Sequence, residues 1–310
     1  MTLTIGIPTY NRKDLLQIMA ESLYESALSA AYNIRVYDDK STEYGMEELK
    51  KIFPDAVSIN INKTNLKADK NMYKMYYDFI HNTNDEYFFN ADSDIIFKKD
   101  WLVKSMELIK KTKGVLSLFN TSCHAVYKEF DDELVLKKIL GAAGVLFTRE
   151  RLKELLKYFC SMEMIKAFDW QWSEYFNGNN IPVFCVKHSL IQHIGYTGQN
   201  TGYVFDFGKN YKIETIKHGQ IINDIFEKYI DNIRELELKR HKINLENDKK
   251  NMEKEALENS IGYHIKCCFI LTIKLLITKK IYNALKSMLT RTRNGVKKPR
   301  KKSNLKTLFQ

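Results

Sequence analysis

The sequence contains few cysteines and lacks the glycine-rich loops of two common nucleotide-binding classes. Its five cysteines have neither metal-ligand spacing nor a plausible disulfide framework, so we predict a protein of the reducing cytoplasm. The patterns G-x-x-x-x-G-K-[ST] and G-x-G-x-x-G after a strand are both absent, which leaves P-loop and dinucleotide-binding classes without support. A strand pattern starts almost at residue 1, so we expect no N-terminal signal peptide.

Acidic residues are absent from the last part of the chain. Residues 259–310 carry 13 lysines and arginines and no aspartate or glutamate, whereas the first 258 residues carry 36 basic and 38 acidic side chains. The basic excess therefore lies entirely in this tail. Its apolar run at 267–277 is too short to cross a bilayer, because a spanning helix needs about 20 apolar residues.

The tail instead has the pattern of a segment that lies on a membrane surface. An apolar stripe continues to Leu289 among lysines, and a polybasic stretch follows at 297–302. We predict attachment to the anionic inner face of the cell membrane through residues 259–310. A solvated disordered tail and a nucleic-acid-binding tail are the alternatives, and nucleic acid is the less favoured partner because no recognisable module is present.

Strand and helix patterns alternate along the first half of the chain. An apolar strand pattern begins almost at residue 1 and is ended by Pro8, and further strand patterns lie at 33–37, 56–61 and 86–91. Helical patterns at 13–28, 47–53 and 68–81 separate them. This alternation predicts an α/β fold whose mostly parallel sheet carries helices on both faces, with ligands bound at the carboxyl ends of the strands. Polar clusters follow three of these strands.

The third of these clusters, Asp92-Ser93-Asp94, has the chemistry of a metal site. Two carboxylates separated by one residue can reach one ion where a strand ends, and hard oxygen ligands suit Mg²⁺ or Mn²⁺ carried on a diphosphate. Such a pair also occurs in ordinary turns and helix caps, so the motif gains weight only from the other two clusters.

The three clusters together resemble those of a GT-A glycosyltransferase of family 2. They are Ile7-Pro8-Thr9-Tyr10-Asn11-Arg12, Val36-Tyr37-Asp38-Asp39-Lys40-Ser41-Thr42 and Asp92-Ser93-Asp94. The resemblance implies a nucleotide-sugar donor, with uridine as the usual nucleoside. It implies donor contacts from the two strand-end turns, a basic residue and the acid motif: Pro8, Thr9, Asn11, Asp38, Asp39, Lys70, Asp92 and Ser93.

The segment Asn65 to Asn71 resembles the family's Asn-x-Gly…Arg-Asn stretch, which closes over the nucleotide. Lys67 stands where the family has glycine, and Lys70 stands where it has arginine. A lysine is a point charge and does not make the two-pronged contact of a guanidinium. Lys70 is therefore either a phosphate contact or a solvated helix residue.

The acceptor side follows the acid motif along the chain. The segment 140–150 resembles the family's acceptor-side strand before a helix, and Asp169 lies where the family has its catalytic base, with Phe168 in place of a first acid. Alternatively, Asp169 is the N-cap of the following helix, and Glu174 is then the candidate for the base. The aromatic residues Trp170, Trp172 and Tyr175 are either core or a stacking platform for sugar rings.

The resemblance also implies an imidazole near the metal. The turn at His193 resembles the position from which several GT-A enzymes supply a histidine, so the expected metal ligands are Asp92, Asp94 and His193, with His188 as the weaker choice. Residues 196–212 are predicted to form a closing lid, with an ordinary exposed loop as the alternative.

These patterns divide the chain into three parts. We predict a GT-A catalytic domain at 1–218, with a nucleotide-sugar-binding half at 1–98 and an acceptor-binding half at 99–218. A helical, charged extension follows at 219–258, and the basic tail at 259–310. A short heptad spacing from Ile222 to Leu236 favours packing on the chain's own domain over a coiled-coil dimer. A homo-oligomer is left open.

The predicted function is a metal-dependent inverting glycosyltransferase. It would move one sugar from a UDP-sugar to a saccharide or glycolipid acceptor of a bacterial surface glycan, with Mn²⁺ or Mg²⁺ as cofactor. The alternative is a catalytically silent GT-A-like protein that binds a glycan or tethers partners through its basic tail.

Overall fold

The computed structural model describes residues 2–26, 31–121, 123–159, 167–195, 206–256, 275–281 and 283–284. It divides into two compact units, Met1–Arg234 and Glu235–Gln310. Residues 196–205 of the predicted lid and most of the predicted tail at 259–310 lie outside the described residues.

The first half of the chain alternates strands and helices, as predicted. Its elements are β1 (Leu3–Thr9), α1 (Lys13–Ser26), β2 (Tyr32–Asp38), α2 (Met46–Ile52), β3 (Ala56–Ile61), α3 (Lys67–Asn82) and β4 (Tyr87–Asn90). The second half begins with β5 (Ile95–Phe97), α4 (Trp101–Leu108) and a 3₁₀ turn (Ile109–Lys111). The remaining elements are β6 (Val115–Ser117), β7 (Val126–Glu129), β8 (Leu134–Lys137), β9 (Val145–Thr148), α5 (Arg149–Phe159), α6 (Phe168–Gly178), β10 (Val183–Val186), β11 (Ile191–His193) and α7 (Ile216–Ala256).

Nine of the strands form one sheet in the order β3-β2-β1-β4-β9-β6-β10-β8-β7. The four strands from β3 to β4 are parallel, which agrees with the prediction. The other half is mixed, because β9 runs antiparallel to β4 and β6 and β8 runs antiparallel to β10 and β7. The sheet is therefore parallel where the first three polar clusters lie.

Helices cover both faces of the sheet, as the predicted α/β class requires. Along β4, Phe89 faces a core shared with α1, α2 and α4, while Phe88 faces a core shared with α3, α5 and α6. Successive strand residues point to opposite faces, so two adjacent phenylalanines serve two cores. The expected fold class is confirmed.

The start of α7 belongs to the Met1–Arg234 unit and packs inside it. Ile222 and Ile225 join Leu15, Ile96 and Ile194 in a small buried cluster, and Tyr229 is also buried. This agrees with the favoured intramolecular packing. Further along α7, Leu236 is 42% exposed, and the charged stretch to Ala256 is helical. Within the described residues, no helix is long and apolar enough to cross a membrane.

Candidate functional site

Three polar clusters meet at one edge of the sheet. Because β1 lies between β2 and β4 and is parallel to both, the register pairs Thr9 with Asp38 and Gly6 with Asn90. The carboxyl ends of these strands therefore point the same way, which brings the turns at 8–12, 38–42 and 92–94 together. The sequence-based expectation that these clusters lie at strand ends agrees with the structure.

The turn after β1 is tied to the turn after β2. The backbone N–H of Asn11 donates to Ser41 Oγ at 2.8 Å, and the Asn11 side-chain oxygen accepts from the Thr42 N–H at 2.8 Å. Thr9 and Tyr44 share a hydroxyl hydrogen bond. Pro8, Thr9 and Asn11 thus lie together in one rigid corner, although Asn11 already uses its side chain to hold that corner.

Asp38 and Asp39 are both buried and both hydrogen-bonded. Asp38 accepts from the backbone N–H and the hydroxyl of Ser41, and burial raises the pKa of the Asp38 carboxyl. Asp39 Oδ1 accepts from the Asn62 amide at 2.9 Å and from the Leu66 N–H at 2.7 Å. These bonds fix the two carboxylates at the edge of the corner where the resemblance places the nucleoside.

The segment with the two lysine replacements keeps the backbone shape of the glycine pattern. Lys67 has φ 70°, in the left-handed region that favours glycine. Lys70 follows in the first turns of α3 and is half-buried. Asn71 is buried and joins the Tyr37 carbonyl to Asn62. The lysine at 67 therefore occupies a strained position that the chain retains.

Asp94 is the centre of the site. Its Oδ2 accepts from Arg12 Nη1 at 2.6 Å, and its Oδ1 lies 3.4 Å from His193 Nε2. Burial raises the pKa of the Asp94 carboxyl, but the positive charges of His193 and Arg12 outweigh burial and hold that pKa below its usual range. Burial lowers the pKa of the His193 imidazole, and Asp94 outweighs burial and raises it.

A two-stranded pairing brings His193 to Asp94. Strands β11 and β5 are antiparallel with His193 opposite Ile95, and the Ile194 N–H donates to the Asp94 carbonyl at 2.8 Å. A side chain at residue 195 would collide with this pair, since a Cβ there would lie 2.5 Å from Asp94 Oδ2. Gly195 therefore permits the close approach. The weaker choice, His188, is exposed.

Asp92 is held by a buried asparagine that the sequence analysis missed. The Asn90 amide donates to Asp92 Oδ1 at 3.0 Å and to the Ala142 carbonyl at 3.0 Å. Burial, then the neighbouring Asp94 charge, raises the pKa of Asp92. A polar residue at the end of the apolar strand Tyr87–Asn90 was the available signal. Asn90 links the acid turn to the loop at 140–144.

The geometry fits a metal–diphosphate unit better than a closed metal cage. Within the described residues, no group of three or more His, Cys, Asp and Glu side chains is placed to hold an ion. Neighbouring ligands of an octahedral Mg²⁺ or Mn²⁺ lie about 3 Å apart, and Asp94 Oδ1 and His193 Nε2 are separated by 3.4 Å. Such ions commonly take one or two protein ligands, substrate phosphates and water. Asp94 and His193 match that set, while Asp92 faces Asn90.

Asp169 lies in the first turn of α6, and the N-terminus of α6 is capped by Asp69, a residue of α3. The N-cap of α6 is Ala167, and the carboxylate of Asp69 accepts from the Ala167 and Phe168 N–H groups at 3.0 and 3.3 Å. The alternative assignment of Asp169 as the N-cap is therefore wrong. Burial is the main cause that raises the pKa of Asp169, which suits a base.

The other predicted acceptor-side residues separate into two groups. Glu174 is exposed, and Trp172 is part of the buried core between the sheet and α6. Tyr175 is half-buried and donates to Glu154 at 3.2 Å. Trp170 is 58% exposed, so it is the aromatic residue of this turn that is free to meet a sugar ring.

His124 is a further residue that the sequence analysis did not single out. Burial lowers the pKa of its imidazole, and Asp169 is among the charges that act on it. Its Cε1 would lie 3.2 Å from a Cβ at residue 141, so Gly141 lets the 140–144 loop approach the ring. His124 and Asn90 therefore both border this loop.

The described part of the predicted lid is attached to the core. The Gln192 side chain bonds the Asp206 carbonyl at 2.9 Å and the Gly208 N–H at 2.8 Å. The Lys209 N–H donates to the Asn120 carbonyl at 2.7 Å. The lid remains a prediction for residues 196–205, which lie outside the described part of the chain.

Residues 4–135 match the family model described as Glycosyl transferase family 2. This match confirms the resemblance that the motifs indicated, and with it the enzyme class, a nucleotide-sugar-dependent glycosyltransferase. The matched part contains the strand-end turns and the acid turn and ends before Asp169 and His193. A comparison with curated proteins finds no match.

Several solved structures are similar to the chain at low identity. TarS 1–349 from S. aureus is 15% identical with a TM-score of 0.46, over 74% of this chain and 72% of that one. The complex of TarS 1–349 with UDP-GlcNAc is 18% identical with a TM-score of 0.40, over 50% of this chain and 47% of that one. The mannosyltransferase PcManGT from Pyrobaculum calidifontis, in complex with GDP-Man and Mn²⁺, is 16% identical with a TM-score of 0.38, over 49% of this chain and 46% of that one. The last two alignments span about half of those chains, and likeness at this level decides neither donor nor metal.

Proposed function

From the glycosyltransferase family 2 match at residues 4–135, we propose that the protein is a metal-dependent, inverting enzyme that transfers one sugar from a UDP-sugar to a saccharide acceptor. One observation carries this proposal. Asp94 lies between Arg12 and His193 at the sheet edge where the turns after β1 and β2 also meet. A carboxylate in that position could hold a divalent ion, and the ion would hold the diphosphate of a donor.

The donor would occupy the corner between β1, β2 and β4. Pro8, Thr9 and Asn11 would border the nucleoside, and the Asp39 carboxylate has the hydrogen-bonding capacity to accept from a uracil imide N–H. Asp38 would shape the turn through Ser41. Lys70 would supply positive charge to the diphosphate, and Asp92 and Ser93 would border the ribose and phosphates.

The acceptor would approach from the side of α6. Asp169 would take the proton of the acceptor hydroxyl as that oxygen forms a bond to the anomeric carbon, and the bond from that carbon to the diphosphate oxygen would break. Attack opposite the leaving group inverts the anomeric configuration. The raised pKa of Asp169, caused mainly by burial, makes its carboxylate a stronger base than an ordinary aspartate. A bound divalent ion would stabilise negative charge on the leaving diphosphate.

The test is a pair of carboxylate variants. Asp94→Asn should abolish metal-stimulated release of UDP, with a loss of about 10²-fold or more, because it removes a charge from the diphosphate site. Asp224→Asn, which changes an exposed carboxylate on α7, should keep full activity. Full turnover in excess chelator would refute the metal. UDP binding without transfer to any of a broad acceptor panel would favour the silent glycan-binding alternative.

We further propose that residues 259–310 attach the enzyme to the anionic inner face of the cell membrane, where a surface-glycan acceptor would be available. The charge asymmetry of the sequence supports this, as do the exposed apolar residues Leu275, Leu276, Ile277 and Ile281 in the helical residues 275–281. Deleting 259–310 should abolish sedimentation with anionic vesicles and leave transfer to a soluble acceptor. Equal sedimentation of both proteins would refute attachment, and vesicle-independent binding to DNA would favour the nucleic-acid alternative.

A further inference from the structure

Arg12 makes two hydrogen bonds to the acid turn at residues 92–94. Its Nη1 donates to Asp94 Oδ2 at 2.6 Å and its Nη2 donates to Ser93 Oγ at 3.3 Å. Arg12 and Asp94 are 82 positions apart in sequence. One guanidinium therefore bridges the turn after β1 and the turn after β4.

The backbone that presents Arg12 is unusual. Asn11 and Arg12 have φ 53° and 59°, so two successive residues other than glycine lie in the left-handed region. Residues other than glycine rarely adopt this conformation, and strained positions of this kind cluster where a site needs a fixed geometry. Two hydrogen bonds hold this conformation, one from the Asn11 N–H to Ser41 Oγ and one from the Thr42 N–H to the Asn11 side-chain oxygen. The local backbone thus directs the Arg12 side chain at the acid turn.

Arg12 also uses an atom that a metal–diphosphate unit would need. Asp94 is 6% exposed at its side chain, with Arg12 on one oxygen and His193 on the other. A guanidinium and a divalent ion on one buried carboxylate would repel one another. A diphosphate, in contrast, brings negative charge that attracts a guanidinium. The Arg12 side chain is 30% exposed and has rotatable bonds that allow it to exchange partners.

We propose that Arg12 is a diphosphate-positioning residue that holds Asp94 in the absence of donor and turns to a phosphate oxygen of the donor when the metal–diphosphate unit binds. A planar guanidinium can bind a carboxylate or a phosphate through two parallel N–H groups, which a lysine cannot do. Arg12 then supplies the two-pronged contact that Lys70 does not. This inference rests on the proposed metal-dependent function.

The test separates metal binding from nucleotide binding. We expect Arg12→Gln to bind Mn²⁺ alone at least threefold more tightly, because a competing positive charge leaves Asp94. The same variant should bind UDP, at saturating Mn²⁺, about tenfold or more weakly, because a charged hydrogen bond to phosphate is lost. Mn²⁺ affinity is measured by the electron paramagnetic resonance of the free ion, and UDP affinity by calorimetry. A purely structural role for Arg12 would weaken both.

Two further variants complete the experiment. Arg12→Lys should give UDP affinity between those of wild type and Arg12→Gln, since it keeps the charge without the fork. Arg35→Gln removes a comparable pair, in which Arg35 and Asp78 are 21% and 23% exposed, and should change neither affinity. Thermal melting establishes that each variant folds, and Arg12→Lys serves as the probe if Arg12→Gln does not.

The outcomes distinguish this inference from the proposed function. Unchanged or weaker Mn²⁺ binding by a folded Arg12→Gln protein, or unchanged UDP binding, would refute the partner exchange while leaving the metal site intact. A wild-type protein that binds UDP in chelator and gains nothing from Mn²⁺ would refute the metal itself, and with it the exchange. Arg12 would then be a resident cation of the site.

Discussion

Gly195→Ala is the most direct perturbation of the candidate metal site. A Cβ at residue 195 would lie 2.5 Å from Asp94 Oδ2 and 2.8 and 2.9 Å from two atoms of the His193 ring. Contacts below 3.0 Å require a neighbour to move. Arg12 holds Asp94 in place, and the pairing of β11 with β5 holds His193 in place. Neither side chain can therefore move away freely. We expect the alanine to separate the two side chains.

The expected magnitude follows from the crowding. Overpacking a well-filled region by a methyl group costs about 1–3 kcal/mol, so the free energy of unfolding should fall by that amount. In a unit of this size each kcal/mol corresponds to a melting temperature lower by about 2–4 °C. If Asp94 and His193 are both ligands, the affinity for Mn²⁺ should fall about tenfold or more, because they no longer reach one ion.

Gly178→Ala is the matched control for this experiment. A Cβ at Gly178, the last residue of α6, meets no atom within 4 Å. Alanine there should raise the free energy of unfolding by about 0.4–1 kcal/mol, since it reduces the freedom of the unfolded chain. Thermal unfolding and Mn²⁺ titration measure both variants. If Gly195→Ala binds Mn²⁺ as tightly as wild type does, then Asp94 and His193 do not act as a pair.

Two further predictions concern the base and the α3 turn. Since burial is the main cause that raises the pKa of Asp169, and a base must be deprotonated, transfer should fall as pH drops through a value above the ordinary aspartate range near 3.9. Asp169→Asn should lower transfer about 10²- to 10⁴-fold and remove that acid limb. Normal transfer by Asp169→Asn, with loss in Glu174→Gln, would reverse the assignment. Lys67→Gly should leave the free energy of unfolding unchanged or raise it by up to about 1 kcal/mol, because φ 70° favours glycine. Lys70→Gly, inside α3, should lower the free energy of unfolding by about 1 kcal/mol. Equal losses in the two variants would contradict the left-handed conformation at Lys67.

The local features of the first hundred residues could be read from the sequence because they depend on neighbouring residues. Apolar periodicity indicated the strand at 56–61 with the bounds that β3 has, and the helix predicted at 68–81 is α3. The order of strand-end motifs was enough to predict that Thr9, Asp38 and the acid turn share one edge, since parallel strands align their carboxyl ends. The same reasoning gave the enzyme class through the resemblance.

The second half of the sheet was less accessible to sequence reasoning. Short strands such as β6 (Val115–Ser117) and β11 (Ile191–His193) are too brief for periodicity to show their direction or partners. The antiparallel place of β9 between β4 and β6 depends on contacts with both neighbours. Direction is a property of the assembled sheet and leaves little trace in four residues.

In the parallel half of the sheet, the sequence alone determined which elements form and which side chains stand at their ends, because backbone periodicity and turn chemistry act over a few residues. Only the tertiary structure decided which distant groups face one another. Arg12 meets Asp94 across 82 positions, Asp69 caps α6 across 98, and His193 reaches Asp94 through the pairing of β11 with β5. Such meetings depend on how whole elements pack, and the free energy that fixes them comes from buried contacts spread over the core rather than from the residues that meet.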